Sequence, residues 1–279
     1  MLFLVIYGLV IFGGLLGGAI VFNSINRSWR EAQKDINRLV RIADRDKKYI
    51  IVYVLAIFLI PAVLLLYPIY HSVFPGDFTP RIFAMESPAL SRFQQMLFNP
   101  LLTDFLCLVY IFGVVYLLIM TPVLVLWRDS SRRLMRRYTY MIVLNVILAL
   151  PFFVLIHLTV PSVYSPDIVQ PLLYRNINFR GFVALFGGEG GFHNDFPSHH
   201  VSTTFAIFIF VFLNRKERFI RYTYFCGAVA LLTLLSTLYL GIHYFMDIVG
   251  GLFLAVAVNI GAYYILRDDT DNIPPRRKE

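Results

Sequence analysis

Three ionisable side chains set among apolar residues, His200, His243 and Asp247, are of types and spacing suited to chemistry. They belong to two short polar motifs, DFPSHH at 195–200 and STLYLGIHYFMD at 236–247. Ionisable groups at a membrane span are costly, so their presence needs a reason. Two imidazoles and a carboxylate suffice to hold, attack and reprotonate a phosphate ester without a metal. In the first motif, Pro197 is expected at the start of a helix, where the first N–H groups have no intrahelical partner. Those donors and the helix dipole form an anion site, to which Ser198 adds a hydroxyl and from which His200 projects. In the second motif, His243 and Asp247 are four apart and are expected to share one face of the last span. A carboxylate beside one ring nitrogen fixes the tautomer and leaves the other nitrogen as a nucleophile or base. A histidine capping an interfacial helix and a structural His–Asp pair would read the same way, so neither motif decides alone.

The elements that must position these residues are apolar helices. In 279 residues, 58% are hydrophobic and 16% aromatic, and the mean hydropathy is +0.68, too apolar for an ordinary soluble domain. Seven spans are expected, near 2–22, 49–70, 101–127, 139–160, 197–213, 221–240 and 243–266. The fold class is therefore all-α, a polytopic membrane helix bundle.

The net charge of +8 is not a nucleic-acid footprint, because its distribution follows the spans. Lys and Arg number 8 in 23–48, 5 in 128–138, 4 in 214–221 and 4 in 267–279, which leaves Arg81, Arg92, Arg175 and Arg180 for the opposite side. The positive-inside rule then places the C-terminus in the cytoplasm and the N-terminus outside. Both motifs fall at the outer ends of their helices, so the two histidines can meet at one depth. That convergence is the physical case for a site on the extracytoplasmic or lumenal face.

Residues 1–48 read as an N-terminal transmembrane helix and a basic interfacial helix, 49–266 as the catalytic membrane domain, and 267–279 as a disordered cytoplasmic tail. Gly13, Gly14, Gly17 and Gly18 allow close helix packing in the first span, which is read as retained rather than cleaved. Trp29, Ala32, Ile36, Leu39, Val40 and Ala43 form one apolar face of the interfacial helix. In the outer segment 71–100, Ser87-Pro88 is read as a helix start, Leu90, Phe93 and Leu97 as one face, and Asn99-Pro100 as its end. The outer segment 161–196, with three prolines and four clustered glycines, is long enough to be functional. Cys107 and Cys226 are expected to be free buried thiols. The sequon at Asn26 falls on the cytoplasmic side and is read as accidental.

The paired motifs resemble those of the type 2 phosphatidic acid phosphatase superfamily, P-S-x-H followed by S-R-x5-H-x3-D. Pro197, Ser198 and His200 match the first, and Ser236, His243 and Asp247 the second, with Thr237 in place of the arginine. The family's K-x6-R-P motif is absent. These departures, and the stretch Pro161-Ser162-Val163-Tyr164, are similar to the inositol phosphorylceramide synthase branch. The resemblance implies a six-helix phosphatase-type core plus one extra N-terminal transmembrane helix. It also implies a two-step phosphoryl transfer in which His243 is the nucleophile, Asp247 holds its ring and His200 is the acid and base. Ser198 and Ser236 would contact the phosphate, and His199 is either a substrate contact or a packing residue. Arg175 and Arg180 either replace the missing motif cations or anchor their loop at headgroup level. His193 is read as a substrate contact or a loop residue, and His71 and His157 as interfacial. A lipid phosphate or phospholipid would be the substrate, with water or a polyol or sugar hydroxyl as acceptor, and with no cofactor, metal or nucleic acid. The competing classes are a haem-binding electron carrier, with the histidines as axial ligands, and a transporter or scaffold. The oligomeric state is not encoded in any feature of the sequence.

Overall fold

The computed structural model describes residues 37, 40–64, 66, 69, 73, 76–128, 132–179, 181, 183, 196–214 and 220–266. The first span, the glycine cluster at 187–191, His71, Arg180, His193, Asp195 and the tail from 267 lie outside the described residues, as does most of the interfacial helix, of which 40–45 are helical. The chain is an all-α membrane bundle, with one isolated bridge, Asp77 to His157, as the only β pairing among the described residues. The helices are α1 (Lys47–Leu64), α2 (Thr79–Leu97), α3 (Pro100–Arg128), α4 (Arg132–Leu155), α5 (Pro161–Tyr164), α6 (Leu172–Arg175), α7 (His199–Leu213), α8 (Ile220–Tyr239) and α9 (Phe245–Ile265). Four of them, α3, α4, α8 and α9, contain stretches long and apolar enough to cross a membrane.

Side-chain ties at the helix ends fix the chain's alternation. Thr103 near the start of α3 bonds the Tyr239 hydroxyl at the end of α8. Thr121 near the end of α3 bonds Tyr222 near the start of α8. Arg137 at the start of α4 reaches Asn214 just after α7, and Thr139 donates to the Tyr49 carbonyl of α1. So α1, α4 and α8 run towards one end, and α3, α7 and α9 run away from it. That end carries both polar motifs, and the opposite end carries the arginines of α4.

The interior is sealed by aromatic and aliphatic packing around Tyr138, Met141, Ile207 and Phe210. Large apolar side chains such as Phe58, Leu55, Tyr224 and Phe253 face outward. The few polar groups are inside: Asn259 donates to the Ala206 carbonyl of α7, and Asn145 donates to Thr203. With lipid as solvent, such inward polar groups hold helices together because no water competes for them.

Helix α2 begins at Thr79 rather than at Ser87-Pro88. The start is set by Asp77, whose carboxylate accepts from the Thr79 N–H at 2.8 Å, with Pro80 in the first turn. Pro88 lies inside the helix and removes one internal donor. The helix ends at Leu97, as Asn99-Pro100 led one to expect. Cys107 and Cys226 are free and buried.

Candidate functional site

Helix α8 ends in a turn that places His243. Gly241 has φ +72°, a conformation that favours glycine. The Ile242 N–H donates to the Thr237 carbonyl and the Gly241 N–H to the Leu238 carbonyl, the two bonds of a Schellman cap. A second donor on the Thr237 carbonyl, the N–H of His243 at 3.2 Å, pins the histidine backbone to the helix end. A Cβ at Gly241 would lie 2.9 Å from Gln94 and from Val169, so the site is also closed sterically.

His243 is not on the helix that follows. Helix α9 starts at Phe245, and the pairing with Asp247 arises from capping instead of a shared helical face. The Asp247 side chain folds back over the first turn and accepts from the Tyr244 N–H at 2.8 Å. The same oxygen, Oδ2, lies 3.4 Å from His243 Nδ1. Both residues are buried, Asp247 completely. Its Oδ1 has no donor among the described residues.

The first motif meets the second through the backbone. Ser198 is the N-cap of α7, its hydroxyl accepting from the Val201 N–H, and its own N–H donates to the Asp247 carbonyl at 3.0 Å. Pro197 stands one residue outside the helix, in a cis peptide with Phe196. Glycines make this approach possible. A Cβ on Gly251 would sit 2.7 Å from the Ser198 carbonyl oxygen, and one on Gly250 would sit 2.8 Å from the Phe196 ring. His200 follows in the first turn, two residues after the Ser198 N–H that bonds the Asp247 carbonyl. Its ring stacks on Tyr110 of α3, with centroids 4.3 Å apart and planes 22° from parallel. The N–H groups of His199 and His200 have no acceptor within the helix, because they precede its first intrahelical bond.

At 1.5 Å per residue, the 15 residues of α7 span about 22 Å. A hydrocarbon core is roughly 30 Å thick. Helix α7 is thus shorter than such a core is thick.

The other residues expected to contact phosphate engage neighbouring groups or stand exposed. His199 turns towards α4, with Nε2 3.2 Å from the Asn145 amide, Nδ1 3.4 Å from the Thr203 hydroxyl and its ring edge-on to Phe153. Both its nitrogens are thus engaged, Nε2 by α4 and Nδ1 within α7 itself. The Ser236 hydroxyl donates to the Thr233 carbonyl of its own helix. Arg175 ends α6 exposed, with no ion pair among the described residues. His157 is buried at the α4 exit, its carbonyl accepting from the Phe78 N–H.

Other groups at this end were not singled out by the sequence reading. Glu86 of α2 accepts from the Phe245 N–H at 2.6 Å and the Met246 N–H at 3.3 Å, capping α9. Gln94 of α2 donates to the Tyr239 carbonyl at 2.9 Å and to the Gln170 carbonyl at 3.0 Å. Only the Gly250-Gly251 pair carried a readable signal, as small residues within an apolar span. Tyr110, Glu86 and Gln94 act across the fold, and nothing local in the sequence marks them.

A sequence model described as the PAP2 superfamily matches residues 82–260, from within α2 to near the end of α9. No curated protein and no solved structure matches the chain. The matched segment contains both motifs and every contact between them, and it covers well over half of the 279 residues. The chain belongs to the PAP2 superfamily and is an integral membrane protein of phosphatase type.

Proposed function

We propose that this protein transfers a phosphoryl or phosphoalcohol group from a membrane lipid to an acceptor, through a covalent intermediate on His243. The bond from the Ser198 N–H to the Asp247 carbonyl carries this reading, because it ties the two motifs together at one end of the bundle. Asp247 faces Nδ1 of His243, which leaves Nε2 as the lone pair for in-line attack on phosphorus. As the P–N bond forms, the P–O bond to the lipid leaving group breaks and His200 gives that oxygen its proton. The acceptor oxygen then attacks phosphorus and loses its proton to His200, and the P–N bond electrons return to His243. The open amides at the start of α7 stabilise the equatorial oxygens, in place of the motif cations this chain lacks. Arg175 and Arg180 are candidates to meet the headgroup.

Transfer to a polyol or sugar hydroxyl is the preferred outcome, on the resemblance to the inositol phosphorylceramide synthase branch. Hydrolysis of a lipid phosphate or isoprenyl (pyro)phosphate, with water as acceptor, is the second reading. Neither step calls on a metal. The charge distribution supports an extracytoplasmic or lumenal site, with the arginine-rich end of the bundle in the cytoplasm.

The test is to trap the intermediate. Purified full-length protein is incubated with phosphorus-labelled phosphatidylinositol or phosphatidic acid and quenched in alkali, where a phosphorus–nitrogen bond survives. Wild type should retain label and His243→Ala none, while His200→Ala should acquire it more slowly by about two to four orders of magnitude. Label persisting on His243→Ala, or none on wild type with either donor, refutes the mechanism.

A further inference from the structure

The segment carrying His243, residues 240–244, is strung between two helix ends, and both are held by the same neighbour. Gln94 binds the last carbonyl of α8, at Tyr239, and Glu86 binds the first two amides of α9, at Phe245 and Met246. The two side chains are eight residues apart on α2, about 12 Å along the axis and within some 80° around it. Between them lies fully buried Leu90. The helix is itself fixed at its start, where Asp77 caps Thr79 and the Thr79 hydroxyl accepts from the Thr159 N–H. Its other face carries Met85 and Met96, 71% and 83% exposed, as expected of a helix lying at a membrane surface.

The capping by Glu86 has a chemical consequence. A helix N-terminus attracts anions, and two of the free amides of α9 are already taken by a carboxylate. A substrate phosphate is thereby directed to the amides of α7 beside His200. Glu86 also satisfies the positive end of α9, so that Asp247 can serve the Tyr244 amide and the His243 ring together.

We propose that Glu86, with Gln94, is a positioning residue that holds the nucleophile segment from α2 and so sets where His243 stands relative to phosphorus. This rests on the reading of His243 as nucleophile, and the test separates the two ideas. Glu86 acts by reach and by accepting two hydrogen bonds, so shortening it and neutralising it have opposite expected effects. Glu86→Asp keeps the charge but is one methylene too short for both amides. Glu86→Gln keeps the length and one of the two accepting oxygens, enough for the shorter bond, from the Phe245 N–H.

The probe is orthovanadate, a phosphate mimic that needs no knowledge of the lipid, read by the shift it causes in thermal unfolding of the detergent-solubilised full chain. Wild type should be protected and His243→Ala not. Glu86→Ala and Glu86→Asp should weaken the apparent vanadate affinity by about tenfold or more, and Glu86→Gln should restore part of it. A purely structural role would lower the unfolding temperature without vanadate while leaving the affinity unchanged. Vanadate affinities for Glu86→Asp equal to wild type, or for Glu86→Gln as low as for alanine, overturn the inference and leave the nucleophile reading intact. Absence of protection in wild type, or its persistence in His243→Ala, overturns both.

Discussion

The closest approach between the two motifs can be broken by one methyl group. Gly251 faces the carbonyl oxygen of Ser198, and a Cβ there would lie 2.7 Å from it, 0.7 Å inside the 3.4 Å at which ordinary contact begins. The obstacle is backbone, so no rotamer change relieves it. Helices α7 and α9 must separate by about that amount, which stretches the 3.0 Å bond from Ser198 N to Asp247 O towards the limit of hydrogen bonding. Overpacking of this kind costs about 1–3 kcal/mol of stability. The functional loss should be larger than that implies, because a misplacement of about 1 Å in reacting groups can cost some hundredfold in rate. Gly261→Ala is the control. It lies ten residues further along the same helix, and its Cβ would meet only the terminal methyl of Leu144 at 3.0 Å. The assay pairs thermal unfolding in detergent with the initial rate of label capture by His243. Gly251→Ala should lose about two orders of magnitude in capture for a modest fall in unfolding temperature, whereas Gly261→Ala should keep its capture rate. Equal effects of the two substitutions on capture would refute the argument that this contact sets the geometry of the site.

Two further outcomes follow from the same end of the bundle. Burial raises the pKa of Glu86 above the ordinary carboxylate value, the Phe245 and Met246 amides partly offset this, and the nearby Asp247 charge raises it further. Asp247, from α9, is the charged group that faces it from a packed element. For an acid with a raised folded-state pKa, the associated stability is fully present below the unfolded value and lost as pH rises through the folded one. The stability this group contributes should therefore fall as pH rises through its folded-state value, while its protonation should change vanadate affinity little, since a protonated carboxyl keeps the length and an accepting oxygen. Glu86→Gln should lack that part of the pH dependence when binding and unfolding are measured across the same range. Tyr110, stacked on His200, should contribute about 0.5–1.5 kcal/mol to holding that ring. Tyr110→Ala is expected to slow label capture by up to about tenfold and Tyr110→Phe much less; equal rates for the two would show that stacking is not what matters.

The helical architecture was legible because its causes are local. Apolar runs of sufficient length, interrupted by arginine-rich segments such as 128–138, mark the crossings without knowledge of any contact. The two histidines were legible for the same reason, since polar motifs stand out where burial of charge is costly. The reading of His243 and Asp247 on one helical face shows where spacing misleads. A four-residue interval matches a helix turn, yet Gly241 ends α8 so close to the start of α9 that His243 falls in the link between them. The start of α2 was misplaced by eight residues because Ser87-Pro88 is a legitimate start signal, whereas the operative one, Asp77 with Thr79 and Pro80, is supported by contacts to the distant segment after α4. Glu86 and Gln94 were invisible for a related reason: a carboxylate on an interfacial helix is ordinary until the amides it caps, some 160 residues away, are known.

Charge balance bears on which kind of lipid the site accepts. Asp247 and Glu86 both lie beside the His243 segment, and no lysine falls between residues 49 and 215. The amides at the start of α9 are committed to Glu86, so their partial charge is not available to a substrate. What remains for an anion among the described residues is the start of α7 and the exposed arginines of this side, Arg81, Arg92 and Arg175. A phosphate monoester carries close to two negative charges at neutral pH, as the second ionisation lies near pH 6, whereas a diester carries one. Two carboxylates near the reaction centre penalise the monoester more, because each repulsion scales with the substrate's charge. The family's own motif cations, missing here, would have offset that penalty. In the trapping experiment, labelled phosphatidylinositol should therefore load His243 faster than labelled phosphatidic acid. The reverse order would place an uncounted cation, with Arg180 the foremost candidate, directly on the phosphate.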